Sequence, residues 1–169
     1  MGQCELLLPM QCVRGKVGKV MSDFSEIQVN LWQGGSGESE WDGSATRPRA
    51  TIHSIEQFES VVTLDSSTPP VGWLTKELRF GFADGEIDPE TFEEIERVAD
   101  WAFLEWRNGK RVLVRCQAGL NRSGLVVGLV LLRSGKKFSE VIDLIRSQRG
   151  EYALSNRQFY EYLEGWGKR

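Results

Sequence analysis

The sequence predicts an α/β domain with a central, mainly parallel β-sheet flanked by helices. Short apolar runs alternate with longer amphipathic segments, which is the pattern of strands alternating with helices. One run, residues 112–114, is continuously apolar, as in a strand that is covered on both faces. The chain has 169 residues, 40% hydrophobic and 27% charged, so its length and composition fit one globular domain.

The N-terminal part of the chain is predicted to carry strands joined by loops. Residues 1–24 are weakly patterned, and we expect an N-terminal arm or extra strands there, ahead of a domain over residues 25–169. Residues 34–50 are rich in Gly, Ser, Glu and Asp and indicate a long surface loop. A capping-box pattern from Ser54 to Gln57 predicts a short helix. Strands are predicted over three runs: residues 27–32, 61–64 and 77–80.

A long amphipathic helix is predicted to begin after Asp88. Aspartate is a favoured N-cap residue, and Pro89 occupies the first helical position, where proline is well tolerated. Gly109 marks the end of the helix.

Three more helices are predicted after the strand over residues 112–114. The first, from about Ser123 to Ser134, is apolar nearly all round, so it should lie at the centre of the core. The second has its apolar stripe within residues 138–145. The last is expected to begin at Ser155, because Gln158 would complete a capping box.

Composition excludes several kinds of protein. The net charge of −3 argues against a general nucleic-acid binder, although residues 110–169 hold 12 of the 21 basic and only 5 of the 24 acidic residues. The longest apolar run is too short for a membrane span, and we expect no membrane partner. Cys4, Cys12 and Cys116 match no disulfide framework, which favours a reducing, cytoplasmic location. With His53 as the single histidine, neither a metal nor another cofactor is expected.

The segment from Cys116 to Gly124 carries the strongest functional pattern. A cysteine ends a buried strand, Gly119 permits the backbone to curl, and Arg122 opens a buried helix. The N–H groups of such a loop converge, and the helix N-terminus adds positive potential, so a thiolate is stabilised there. A guanidinium suits the oxygens of a phosphate. We therefore predict a phosphate-binding loop with a nucleophile at its floor, formed by Gln117, Ala118, Gly119, Leu120 and Asn121.

The pattern Cys-x5-Arg-Ser at Cys116, Arg122 and Ser123 resembles the signature of the protein tyrosine phosphatase superfamily, specifically its small dual-specificity phosphatases. The resemblance covers roughly residues 27–166. It implies a protein tyrosine phosphatase-like fold, with the phosphate loop between a buried strand and a buried helix. By this resemblance Cys116 attacks phosphorus, Arg122 binds the phosphoryl oxygens, and Ser123 helps the thiolate to leave in the second step.

The resemblance also implies a general acid on a loop some thirty residues before the cysteine. Asp84 lies there, between a predicted strand and a predicted helix. Asp88 and Glu86 are its alternatives, although helix capping already accounts for Asp88. The family usually has histidine directly before the cysteine, whereas this chain has Arg115.

Phosphotyrosine in proteins, with or without phosphoserine and phosphothreonine, is the substrate class that we expect first, for an enzyme that acts as a monomer. The side chains inside the loop are uncharged, which disfavours phosphoinositides. Asn121 before Arg122 also occurs in RNA 5′-phosphatases, so a nucleic-acid phosphate stays open. A catalytically silent phosphate-binding module is the alternative from another class.

Overall fold

The structure, a computed structural model, describes residues 24–36 and 55–168. Within these residues a five-stranded sheet is flanked by four long helices. The elements, in chain order, are β1 (Phe24–Gln28), β2 (Leu31–Gly35), β3 (Ser60–Thr63), β4 (Lys76–Arg79), α1 (Pro89–Arg107), β5 (Val112–Cys116), α2 (Arg122–Arg133), α3 (Phe138–Arg149) and α4 (Arg157–Trp166).

The sheet order is β1-β2-β5-β3-β4, and every neighbouring pair except β1 and β2 is parallel. This confirms the predicted fold class. The central strand β5 is buried along its whole length, as its continuous apolar run predicts. Helix α2 follows β5 directly, and ten of its twelve residues are buried, which confirms its predicted place in the core.

One strand prediction was wrong. Residues 27–32 do not form a single strand, because the chain reverses at Val29 and Asn30 between the antiparallel strands β1 and β2. Asn30 has a φ of 65°, a left-handed conformation that asparagine tolerates better than most residues. The apolar residues on both sides of this turn made two short strands resemble one.

The caps of the first and last helices differ in how well the sequence predicts them. Asp88 is the N-cap of α1, as expected, and its Oδ1 accepts a hydrogen bond of 2.6 Å from the N–H of Thr91. The last helix begins after Asn156 rather than at Ser155, and the Asn156 Oδ1 accepts from the N–H of Phe159 at 3.3 Å. The Gln158 amide instead exchanges two 2.9 Å hydrogen bonds with the backbone of Ile87.

Several predictions lie outside the described residues. These are the arm or extra strands before Phe24, most of the loop over residues 34–50, and the capping box that starts at Ser54. In the part of the chain that the structure describes, no helix combines the length and the apolar character that a bilayer crossing requires.

Candidate active site

The candidate site lies where the parallel strands β2, β5 and β3 end. Gly35 pairs with Cys116, and Thr63 pairs with Arg115, so the three carboxyl ends meet at one edge of the sheet. The N–H of Ser36 donates to the Cys116 carbonyl at 2.8 Å, and the N–H of Leu64 donates to the Arg115 carbonyl at 2.9 Å. Both neighbouring strands therefore fix the point at which the loop leaves the sheet.

The loop after β5 curls around the sulfur of Cys116, which is 1% exposed. The N–H of Gly119 donates to the Cys116 Sγ at 3.3 Å, and the Ser123 Oγ lies 3.4 Å from the same atom. Gly119 has a φ of 71°, and a Cβ there would lie 2.4 Å or less from backbone atoms of Gly34 and Gly35. Only glycine fits this turn. The loop thus directs two hydrogen-bonding groups at a sulfur that lies beside the N-terminus of α2.

Arg122 extends from the first position of α2 across the edge of the sheet. Its Nη1 donates to the carbonyls of Leu64 and Phe82, both at 3.1 Å. Its Nε is buried and has no hydrogen-bond partner among residues 24–36 and 55–168. The backbone therefore holds one nitrogen of the guanidinium, and a guanidinium with a donor left over can bind an oxyanion.

Asp65 is a buried carboxyl close to Arg122. Burial acts to raise its pKa, but hydrogen bonds from Thr68 and Ser67, together with the charge of Arg122, hold that pKa below its ordinary value. Thr68 also lies 2.5 Å from the Ser36 hydroxyl, oxygen to oxygen. The Ser36 hydroxyl donates in turn to the Cys116 carbonyl at 3.2 Å, so an ionised Asp65 is linked through Thr68 and Ser36 to the start of the phosphate loop.

The fold brings Asp84 to the rim of the phosphate loop. Asn121 Nδ2 donates to Asp84 Oδ2 at 3.3 Å, and Asn156 Nδ2 donates to Asp84 Oδ1 at 3.4 Å. The side chain of Asp84 remains exposed to solvent. A carboxyl group in this position can exchange protons both with solvent and with a ligand above the loop.

The two alternative general acids, Asp88 and Glu86, make none of the contacts to the phosphate loop that are described for Asp84 among residues 24–36 and 55–168. The backbone N–H of Thr91 holds the pKa of Asp88 below its ordinary value, which disfavours the protonated form that a general acid needs. Asp88 is occupied as the N-cap of α1. Glu86 is exposed on the same loop as Asp84.

Comparison with solved structures identifies the fold. Human DUSP28 superposes with a TM-score of 0.71 at 18% sequence identity, over 87% of this chain and 94% of that one. A mouse putative dual specificity phosphatase, complexed with zinc tungstate, gives a TM-score of 0.68 at 21% identity over 92% of both chains. The chain has the dual-specificity phosphatase fold. The fold that the sequence resemblance implies is thereby confirmed.

Sequence comparison gives a shorter match. Mouse protein tyrosine phosphatase type IVA 3 is 39% identical over 72 residues, which cover 40% of this chain and 40% of that protein. The chain therefore spans less than half the length of the curated relatives that it matches. No protein-family model matches the sequence.

Arg115 stands directly before Cys116, at the position where the sequence resemblance implies a histidine. It is 3% exposed and points to the strands β3 and β4, where its Nε donates to the Thr63 Oγ1 at 2.9 Å. Its Nη2 donates to the carbonyl of Pro69 at 3.0 Å and to Glu77 Oε1 at 3.2 Å. Burial acts to raise the pKa of Glu77, but the bonds from Thr63 and the N–H of Val71, with the nearby cations, lower it overall. Arg115 thus makes a buried ion pair that holds the strand ends together.

Sequence reasoning missed four residues around the site: Gln33, Asp65, Arg149 and Asn156. Gln33 and Arg149 are buried and donate to carbonyls of the phosphate loop, whereas Asn156 holds Asp84. A glutamine within an apolar strand and an arginine at a helix end carry no local signal for such contacts. For Asn156 the sequence does carry a signal of its position, because asparagine is a favoured N-cap residue and lies beside Ser155, where the last helix was expected to begin.

Proposed function

We propose that this protein is a metal-independent phosphatase that hydrolyses phosphate monoesters through a cysteinyl-phosphate intermediate. The observation that carries the proposal is the convergence of the Gly119 N–H and the Ser123 Oγ on the buried sulfur of Cys116. Hydrogen bonds to a thiolate, at the N-terminus of a helix, favour a nucleophile over an inert buried cysteine. The sequence match to protein tyrosine phosphatase type IVA 3 supports the same chemistry.

In the first step the Cys116 thiolate attacks phosphorus, and the bond from phosphorus to the ester oxygen breaks as the bond from sulfur to phosphorus forms. Arg122 and the loop N–H groups bind the phosphoryl oxygens, whose charge is spread most widely in the transition state. Asp84 donates a proton to the leaving oxygen. Its place on the loop rim supports this role, because the Asn121 amide holds it beside the phosphate loop.

In the second step water attacks the phosphorus of the cysteinyl phosphate. The Asp84 carboxylate accepts a proton from that water, and the bond from sulfur to phosphorus breaks to release inorganic phosphate. The thiolate that leaves needs stabilisation, which the Ser123 hydroxyl supplies from 3.4 Å. The site is then ready for another cycle.

The proposed substrates are phosphorylated proteins, with phosphotyrosine first and phosphoserine and phosphothreonine as further targets. The names of the relatives that match by sequence and by structure, protein tyrosine and dual specificity phosphatases, support this class. Uncharged side chains in the loop support it too, since they offer nothing to the extra phosphates of a phosphoinositide. We place the protein in the cytoplasm as a monomer, and its cysteine usage supports the reducing compartment.

The proposal is tested with a small aryl phosphate in the presence of a metal chelator. We expect the wild-type protein to release phosphate and vanadate to inhibit it. Cys116→Ser should lower turnover by at least about 10⁴-fold, since it removes the nucleophile, while the loop still binds phosphate. Substantial turnover by Cys116→Ser would contradict the mechanism, and phosphate binding without turnover by the wild type would indicate a silent module.

A second assay tests the substrate class. Rates on a phosphotyrosine peptide and on 5′-triphosphorylated RNA are compared at one salt concentration, because phosphate contacts make nucleic-acid affinity depend on salt. We expect the peptide to be the better substrate. A preference for the RNA would replace the protein substrate by a nucleic-acid one and leave the cysteine chemistry unchanged.

A further inference from the structure

Three consecutive carbonyl groups of the phosphate loop face away from the site. The Gly119 carbonyl accepts from Arg149 Nε at 2.9 Å and from Gln33 Nε2 at 3.1 Å. The Ala118 carbonyl accepts from Arg149 Nη2 at 3.3 Å, and the Leu120 carbonyl accepts from Gln33 Nε2 at 3.2 Å. Two side chains from distant parts of the chain therefore hold the outer surface of the loop.

The direction of these carbonyl groups also fixes the direction of the N–H groups that follow them. In a trans peptide the C=O of one residue and the N–H of the next point in opposite directions. Carbonyls that face outward at Ala118, Gly119 and Leu120 therefore direct the N–H groups of residues 119–121 inward. The first of these does point inward, because the Gly119 N–H donates to the sulfur of Cys116 at 3.3 Å.

Burial makes this arrangement hard to replace. Gln33 is 0% exposed and Arg149 is 3% exposed, so neither side chain can exchange its loop partners for bulk water. A buried guanidinium also polarises the peptides that it binds, which strengthens the N–H groups on their other side as donors. The positive charge of Arg149 lies directly behind these peptides and favours an anion in front of them.

We propose that Arg149, together with Gln33, is a positioning residue that sets the inward direction of the loop N–H groups and so determines how tightly the loop binds a tetrahedral oxyanion. This inference rests on the proposed function for the identity of the anion. It is tested by anion binding, which needs no turnover.

The test measures the affinity of inorganic tungstate by calorimetry, in the Cys116→Ser protein and in variants made on that background. Arg149→Met removes the donors and the charge but keeps the length of the side chain. We expect it to weaken tungstate binding about tenfold or more, because the Gly119 and Ala118 carbonyls lose charge-assisted hydrogen bonds. Arg149→Lys keeps the charge but loses the planar guanidinium that donates to two carbonyls at once. It should bind tungstate more tightly than Arg149→Met and less tightly than the parent.

Arg146→Met is the matched control. Arg146 lies one turn earlier on α3 and donates to the carbonyls of Ala153 and Leu154 instead of to the loop. This variant should bind tungstate within about twofold of the parent. If Arg149→Met does not fold, Gln33→Met on the same background removes the hydrogen bonds that β2 makes to the Gly119 and Leu120 carbonyls. We expect tungstate binding to weaken by a smaller but measurable factor.

A folded Arg149→Met protein that binds tungstate as tightly as the Arg146→Met control would overturn the inference. An activity assay in the Cys116-containing protein separates this result from a failure of the proposed function. Phosphate release that survives Arg149→Met at the wild-type rate would remove the positioning role alone. Tungstate binding that depends on Arg149 in a protein without turnover would remove the phosphatase function alone.

Discussion

The phosphate loop and the loop that carries Asp84 are held in opposite ways. The phosphate loop is fixed from behind by buried donors, and its N–H at Gly119 and the nearby Ser123 hydroxyl are directed at one sulfur. Asp84 is exposed, and two amide hydrogen bonds of 3.3 and 3.4 Å attach it to its neighbours. The phosphate loop is thus held by buried side chains, whereas the carboxylate of Asp84 is held at the surface.

This difference fits the two tasks that the proposed phosphatase reaction requires. Binding an oxyanion in a transition state requires donors that are already in place, because reorganisation would cost free energy during the reaction. A general acid must exchange its proton with solvent between turnovers, so an exposed position is compatible with its role. The comparison therefore predicts large effects from the phosphate loop and smaller ones from the residues that hold Asp84.

After loss of the nucleophile itself, the largest effect is expected from Arg122→Lys. Lysine keeps the positive charge but carries all its donors on one nitrogen, whereas the planar guanidinium bonds the Leu64 and Phe82 carbonyls through Nη1 and has two other nitrogens for the phosphoryl oxygens. We expect kcat/KM on an aryl phosphate to fall about 10³-fold, with little change in thermal stability. A variant with near wild-type kcat/KM would show that charge alone suffices in this loop.

Asp84→Asn should come next. It removes the proton donor but keeps an amide of similar size, and we expect about a 10²-fold slower hydrolysis of an ester with a poor leaving group. The alkaline limb of the pH–rate profile, which reports the protonated acid, should flatten. Asp88→Asn is the matched control, because asparagine caps helices as well as aspartate and activity should persist. The reverse result would move the acid to Asp88.

A smaller effect is expected from Asn156→Ser. Serine preserves a helix cap but cannot donate to Asp84 across the same distance. Loss of one hydrogen bond of about 1 kcal/mol corresponds to roughly a fivefold lower kcat, with KM unchanged. A stopped-flow assay on an aryl phosphate measures it. No change in kcat would mean that Asn121 alone holds Asp84.

The smallest effect concerns the ion pair beneath the phosphate loop. The pKa of Glu77 is lowered in the folded protein, so its contribution to stability is present above the ordinary value of 4.5 and is lost as pH falls through the folded-state value. The free energy of unfolding should therefore decrease in acid, and Glu77→Gln should reduce this decrease. Urea titrations of both proteins at about pH 6 and about pH 3 measure it. Equal decreases would contradict the assignment.

The sequence predicted the residues of the phosphate loop more completely than the buried side chains that hold the loop, Gln33 and Arg149. Cys116, Gly119, Arg122 and the following apolar helix are neighbours in the chain, so local backbone geometry alone relates them. In the structure the Gly119 N–H and the Ser123 Oγ lie near the Cys116 sulfur. The individual roles of Cys116, Arg122, Asp84 and Ser123 in catalysis stay predictions.

The supports of the loop depend on contacts between distant residues. Gln33 lies 86 residues before Gly119, and Arg149 lies 30 residues after it. Nothing in the sequence around either residue indicates a loop carbonyl as partner. The turn at Asn30 was missed for a related reason, because the hydrophobic pattern continues across it and only the backbone conformation reveals two strands.

Arg115 shows the same limit. Its place before the cysteine was evident as a departure from the usual histidine, yet its partner Glu77 is on another strand, 38 residues away. The alternation of side chains along β5 separates Arg115 from the sulfur of Cys116. The arginine therefore supports the sheet beneath the site.

The central claim is that the phosphoryl group is transferred to the sulfur of Cys116 before water removes it. Trapping this cysteinyl-phosphate intermediate tests the claim most directly. The wild-type protein and Ser123→Ala are mixed with an aryl phosphate, quenched within the first turnover and analysed by mass spectrometry. We predict a phosphoryl group on the peptide that contains Cys116, in larger amount for Ser123→Ala because the second step is slowed, and none in Cys116→Ser. Phosphate release with no phosphorylated Cys116 in either protein, or with the phosphoryl group on another residue, would contradict the mechanism.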